Sequence, residues 1–296
     1  MKNPIASLIQ RRRMKRRLLR DVRKVLALAS NGFRSPVYVG DGTVFAPTHH
    51  GQWIYLATED LSVCPRIMTT GTWEAGTTAF MQKHVRPGMN YVEVGANYGY
   101  FSLLSAALVG PDGRVDAFEP LPRAASHVRR TFLANGGANW CHLHECAVSD
   151  KVGASTLHSV EDLHGGGQLA PHIDVPGRVH STTEVKTTTL DTALEGRHID
   201  FLKMDAQGAE GLVLSGAAKT LEQSPNIMMV LEMHARGWDG LSGDPREILG
   251  SLSKMGFEFW RIDDATGRTE LATAEVLCRE PDAVFDFVVS RTPPSM

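Results

Sequence analysis

Glu93, Gly95, Gly99 and Glu119 are the residues whose types and spacing bear most directly on chemistry. Glu93 lies in a short apolar run, Tyr91–Val94, and opens the pattern E-x-G-x-x-x-G. Glu119 closes a second apolar run, Val115–Phe118, 20 residues after Gly99. In a doubly wound sheet an acid at that place lies beside the glycine turn, where it can accept both hydrogen bonds of a ribose diol. Gly95 and Gly99 can take backbone angles closed to other residues and let a ligand approach the main chain. Asn97 sits between them.

The pattern differs from the dinucleotide turn G-x-G-x-x-G, where a helix N-terminus holds a pyrophosphate. Glu93 would repel phosphates. The pair of acids suits a ligand with a ribose, no phosphate and a cationic amino-acid end, and S-adenosylmethionine fits that description. A dinucleotide site, or an ordinary strand-turn-helix unit with no ligand, are the competing readings of the same stretch.

Parallel-sheet ligands bind beyond the carboxyl ends of the strands. Asp205 ends a later apolar run, and Glu232 and His234 end the next. Two residues apart on a strand, Glu232 and His234 should face the same side. Asp205 or His234 could take a proton from a hydroxyl as a general base. Alternatively Asp205, Glu232 and His234 could hold magnesium or manganese. Each also has a structural alternative: a helix cap for Asp205, a surface loop for His234, a packing role for Glu232.

The elements that must position these residues can be read in order. Strands are expected at Tyr91–Val94, Val115–Phe118, Cys141–Glu145, Phe201–Met204, Ile227–Glu232, Phe257–Ile262 and Phe285–Ser290, with helices between the first five. The last two should pair antiparallel across an Asp263–Gly267 turn. Residues 151–198 exceed what a simple crossover needs and carry Gly165-Gly166-Gly167, as lids and substrate loops often do.

Six blocks in fixed order resemble the FkbM-type family of class I S-adenosylmethionine-dependent methyltransferases. They are GTWEAG (71–76), VEVGANYGYFSLLSA (92–106), GRVDAFEPLP (113–122), VKTTTLD (185–191), IDFLKMDAQGAE (199–210) and LEMH (231–234). Gln207 stands where the family pattern D-x-E-G has Glu, which removes a charge. The resemblance implies an α/β Rossmann-like sheet of seven strands with the last antiparallel. It implies S-adenosylmethionine as cofactor, expected to be bound by Glu93, Gly95, Asn97, Gly99, Glu119 and Asp205, while the strand-end rule makes Asp205, Glu232 and His234 the expected catalytic residues. It does not require a metal. The expected activity is O-methylation of a hydroxyl on a sugar, glycan or polyhydroxylated metabolite. The alternatives are an amine or carboxyl acceptor, or a non-catalytic module that docks a glycan-assembly or membrane complex.

Three parts are expected: residues 1–30, 31–90 and 91–292. In the first, residues 11–24 hold nine basic residues and one acid, and apolar residues recur at helical spacing from Ile5 to Ala29. That is a basic amphipathic helix, suited to an anionic membrane surface, an acidic partner or packing on the domain. The second reads as a β-hairpin about Gly40-Asp41-Gly42, a further strand at Gln52–Leu56 and a helix over Glu74–His84. The hairpin is expected to cap one end of the sheet and narrow access to the site. The third is the methyltransferase domain. A net charge of −2 over 296 residues argues against nucleic acid as the main partner. Four cysteines without paired spacing read as free thiols of a reducing compartment. With no membrane-length apolar run and no apolar signal core, the expected location is cytoplasmic, with a peripheral membrane contact through residues 1–30.

Overall fold

The computed structural model describes residues 35–160, 163–168 and 180–295. The basic N-terminal helix expected over residues 1–30 lies outside them. Among the described residues no helix is long and apolar enough to cross a membrane.

The scaffold is one mixed sheet. Its strands are β4 (Asn90–Val94), β5 (Arg114–Phe118), β6 (Cys141–His144), β11 (Phe201–Met204), β12 (Met228–Met233), β13 (Glu258–Ile262), β14 (Thr269–Ala272) and β15 (Phe285–Ser290). They run in the order β14-β13-β15-β12-β11-β4-β5-β6. The five strands from β12 to β6 pair in parallel. β15 is inserted antiparallel to both β12 and β13. This is the Rossmann-like α/β sheet expected, with one more strand. The Asp263–Gly267 turn closes a β13–β14 hairpin instead of leading directly to β15. β14 escapes a sequence reading because Thr269–Ala272 carries no apolar run of its own.

Alternation along these strands sorts side chains to two faces. Tyr91, Phe201, Val230 and Val288 enter one hydrophobic layer. Val92, Leu202, Met229 and Val289 enter the other. Glu93, Lys203, Glu232 and Asp286 have the parity of the first set. Lys203 is level with Glu93, and Glu232 is opposite Asp286. Strand register therefore gathers four charged side chains on one face at one end of the sheet. All but Glu232 are fully buried.

Two smaller sheets flank this frame. β1 (Val37–Gly40), β2 (Thr43–Pro47) and β3 (Trp53–Ala57) form an antiparallel sheet through the expected hairpin. Its β3 edge is covered by the helix Pro122–Ala134. The Tyr55 amide donates to Thr131 Oγ1 at 3.0 Å, and the Trp53 amide to Asn135 Oδ1 at 3.0 Å. The insertion between β6 and β11 is also a sheet. β7 (Ala147–Val148), β8 (Gly153–Val160), β9 (Leu163–Gln168) and β10 (His180–Thr188) run in the order β7-β10-β8-β9. Gly165–Gly167 lie in strand β9, where a loop was expected.

Candidate active site

A cavity of about 390 Å³ opens at the carboxyl ends of β4, β5, β11 and β12. That size lies in the range of small-molecule sites. Its inner wall is the turn after β4. The Gly95 and Ala96 amides donate to the Phe118 carbonyl at 3.1 and 3.0 Å, tying the turn to β5. Gly95 has φ +80°, and a Cβ there would lie 1.9 Å from the Asp205 carbonyl oxygen. The residue must be glycine because the β4 and β11 tips touch at that point. Gly99, at φ +78°, plays a different part from the one expected: it abuts Val128 and starts the helix Tyr100–Val109, and it is not a cavity-lining residue.

Glu119 is buried at the tip of β5. Its Oε2 accepts from the Asn97 amide at 2.7 Å and its Oε1 from the Leu121 amide at 2.8 Å. Asn97 is held there at φ +51°. Burial pushes the Glu119 carboxyl up to about 7, against the pull of those two amides. Each oxygen keeps lone-pair capacity for a further donor. Glu93 accepts from the Ser102 hydroxyl, and burial pushes it up to about 8.

The far wall is an acidic ring around one lysine. Lys203 Nζ lies 3.7 Å from Glu74 Oε2, 3.9 Å from Asp286 Oδ1 and 4.8 Å from the Phe101 ring centroid. Burial alone would lower this ammonium. Asp286, Glu74, Asp205 and Glu93 reverse that and hold it well above the usual lysine range. Glu74 lines the cavity at φ +40°, a left-handed conformation costly for a side-chain-bearing residue, and its Oε2 has no hydrogen-bond donor. Burial, then Asp286 and Asp205, raise its carboxyl well above the usual range despite Lys203. Asp205 and Glu232 share one donor group: Gln207 Nε2 reaches Asp205 Oδ1 at 2.6 Å and Glu232 Oε2 at 3.2 Å. Burial raises both acids. Gln207 itself is held at φ +51°. Asp205 does not cap a helix, because the chain turns through Ala206–Ala209 before the helix Glu210–Ser215 begins.

The cavity thus brings together Glu93, Gly95, Asn97, Glu119, Asp205 and Glu232. His234 is the exception. β12 ends at Met233, so the alternation that would align His234 with Glu232 stops one residue short. His234 instead precedes the helix Ala235–Leu241, with its ring against Gly237, and it does not line the cavity. Glu74, Lys203 and Asp286 were not singled out from sequence, and Gln207 was noted only as a departure from the family pattern. Lys203 did leave a signal: it is one cation inside the apolar strand Phe201–Met204, at the parity of Glu93.

Residues 93–259 match the family model for the methyltransferase FkbM domain. The chain belongs to the FkbM methyltransferase family. Two curated relatives overlap it in part. The protein-L-isoaspartate O-methyltransferase of Aeropyrum pernix is 30% identical over 141 residues, 43% of this chain and 54% of that protein. Protein-L-isoaspartate O-methyltransferase 1 of Arabidopsis thaliana is 25% identical over 92 residues, 31% of this chain and 36% of that protein. The chain therefore spans between a third and just over half of the curated relatives it matches. Among solved structures, the O-methyltransferase of Bacillus cereus in complex with SAH is 13% identical, with a TM-score of 0.43 over 92% of this chain and 89% of that one.

The FkbM domain uses S-adenosylmethionine, and the residues present fit it. Glu119 offers the acceptor pair a ribose diol needs. Glu93, Glu119 and Asp205 make the pocket hostile to phosphate, which disfavours a dinucleotide. The acids also suit a cationic amino-acid end.

Proposed function

We propose that the chain methylates a hydroxyl oxygen of a sugar, glycan or other polyhydroxylated metabolite. The observation that carries this reading is the acidic, aromatic wall beyond the ribose-binding acids. Glu74, Asp205, Gln207 and Glu232 share the cavity with Trp73 and Tyr100. Carboxylates and an amide accept from hydroxyls in several directions, and flat aromatic faces suit the apolar faces of sugar rings. A carboxylate acceptor fits poorly, because three acids there would repel it.

When bound, S-adenosylmethionine supplies a methyl group already activated for transfer. The residues of the chain supply the remainder. The Gly95–Asn97 turn and Glu119 hold the ribose end. Trp73 and Tyr100 orient the acceptor and exclude water. A carboxylate oxygen of Asp205 or Glu232 takes the hydroxyl proton. Burial raises both acids, which makes them stronger bases than free carboxylates. A base so placed contributes roughly 10² to 10⁴ in rate. Lys203 keeps part of the ring ionised so that one acid remains free to act.

An amine acceptor is the second reading, because a cationic amine is attracted by the same ring. The deciding experiment supplies the full chain with deuterated-methyl S-adenosylmethionine and extracts of glycans and small metabolites. Mass spectrometry then locates the label. Label on oxygen of a polyol supports the proposal, and label on nitrogen or carboxyl oxygen overturns it. Calorimetric titration with the cofactor separates both from a non-catalytic module. The basic segment 1–30 supports a further part of the proposal: a cytoplasmic protein that docks reversibly on an anionic membrane or an acidic partner.

A further inference from the structure

We propose that the inner end of the cavity is a divalent-cation site built from Asp205, Glu210 and Glu232. One carboxylate oxygen of each lies within 4.8 Å of the others. Asp205 and Glu232 line the cavity, and Glu210 stands behind them at the start of its helix.

Glu210 is the observation that turns two substrate-facing acids into a site. It is fully buried. Its Oε1 accepts from the Ala206 amide at 2.8 Å, which fixes the carboxyl. Its Oε2 is buried and accepts no well-formed hydrogen bond among the described residues, although the Glu210 and Gly208 amides lie close to the carboxyl. A buried acceptor left unsatisfied costs about 1–3 kcal/mol, more when charged. Among the described residues no side-chain cation forms an ion pair with it. Lys203 forms its ion pairs with Glu74 and Asp286, and its charge also acts on Asp205 and Glu232. The amide of Gln207 reaches Asp205 and Glu232, yet it is neutral. Three carboxyls therefore lie together, answered by the Ala206 main-chain amide and the Gln207 side-chain amide.

The spacing suits a hard cation. Calcium takes oxygen ligands at about 2.3–2.6 Å, so ligands on opposite sides of it stand roughly 4.6–5.2 Å apart. Magnesium, at about 2.0–2.1 Å, takes a tighter oxygen set than calcium. An all-oxygen set also suits manganese. The consequence for chemistry rests on the hydroxyl-methylating reading above: an ion with positions open to the cavity would bind the acceptor hydroxyl and make it more acidic. The ion site itself does not rest on that reading.

The test uses the full chain, stripped with chelator and titrated calorimetrically with manganese, calcium and magnesium chlorides at pH 8. One saturable site per chain is expected. Glu210→Gln, which keeps an oxygen for the Ala206 amide, should weaken it at least tenfold, and Asp205→Asn likewise. Circular dichroism confirms that each variant is folded, and either variant alone suffices. A parallel SAH titration of the stripped chain reports on the cofactor pocket. Absence of saturable binding for all three ions up to millimolar concentration overturns the site, and SAH binding in the same sample leaves the methyl-transfer reading standing. Ion binding unchanged in both variants also overturns it.

Discussion

Glu119→Gln is the substitution that bears hardest on the cofactor pocket. The side chain keeps its shape and loses one acceptor. In the native turn both oxygens are occupied, by the Asn97 amide at 2.7 Å and the Leu121 amide at 2.8 Å. A glutamine can satisfy one of them, and its NH₂ then faces the other N–H. The lost bond to a charged group is worth about 1.5–3 kcal/mol, and the stranded buried amide costs about 1–3 kcal/mol more. At about 2–4 °C per kcal/mol for a domain of this size, the melting temperature should fall by roughly 5–20 °C. The ribose diol loses a charged acceptor in turn, again about 1.5–3 kcal/mol, which is roughly a 10- to 150-fold rise in Kd. Calorimetric titration with SAH on wild type and variant reads this directly. A second readout is independent of folding. Burial holds Glu119 near 7, so acidification from pH 8 to 5.5 should protonate it and weaken wild-type binding. The variant should lose that part of the pH dependence. A Kd within about threefold of wild type, with the pH slope unchanged, would refute the placement of the ribose at Glu119.

Three further outcomes are expected. Glu93 and Glu210, pushed to about 8, and Glu119, pushed to about 7, bind protons more tightly folded than unfolded. Their stabilising effect is complete below about pH 4.5 and is lost as pH rises through 7 to 8, so thermal unfolding of the ligand-free chain should occur at lower temperature at pH 9 than at pH 5.5; a flat or rising profile contradicts it. Gly95→Ala should lower stability by several kcal/mol, because the new Cβ meets the Asp205 carbonyl at 1.9 Å and φ is +80°; near-native melting would show that the two strand tips can separate freely. Removal of residues 1–30 should leave thermal unfolding of the remainder nearly unchanged and abolish salt-sensitive co-sedimentation with anionic liposomes; a full chain that stays in the supernatant at low salt ends the membrane proposal.

The sheet was legible because its strands are apolar runs bounded by turns. Tyr91–Val94, Val115–Phe118 and Phe201–Met204 are strands at or within one residue of where their residues predict them. The acids at strand tips were legible too, since the position of Glu119 after β5 follows from sheet geometry alone. Two kinds of residue were not. His234 was misplaced because alternation was extended past the end of β12, and local composition does not show where a strand yields to a helix. Glu74 and Asp286 were missed because their proximity to Lys203 is tertiary. One lies before the sheet, the other on its last strand, and neither spacing nor periodicity links them. The 151–198 insertion read as a loop because its glycines mask strands that pair among themselves and with the short β7, apart from the main sheet.

The insertion of β15 between β13 and β12 sets the order in which the molecule can be completed. β15 is the last strand of the sheet to be synthesised, yet it occupies an interior position and carries Asp286 to Lys203. While a ribosome is still making the chain, β12 presents a bare edge where β15 belongs, and the ammonium at the heart of the cavity lacks one of its two ion-pair partners. The pocket therefore matures only after Phe285–Ser290 has emerged and threaded into place. Nascent or proteolysed chains that stop short of it would expose an adhesive strand edge, so quality control by chaperones and proteases acts on the same event that finishes the site.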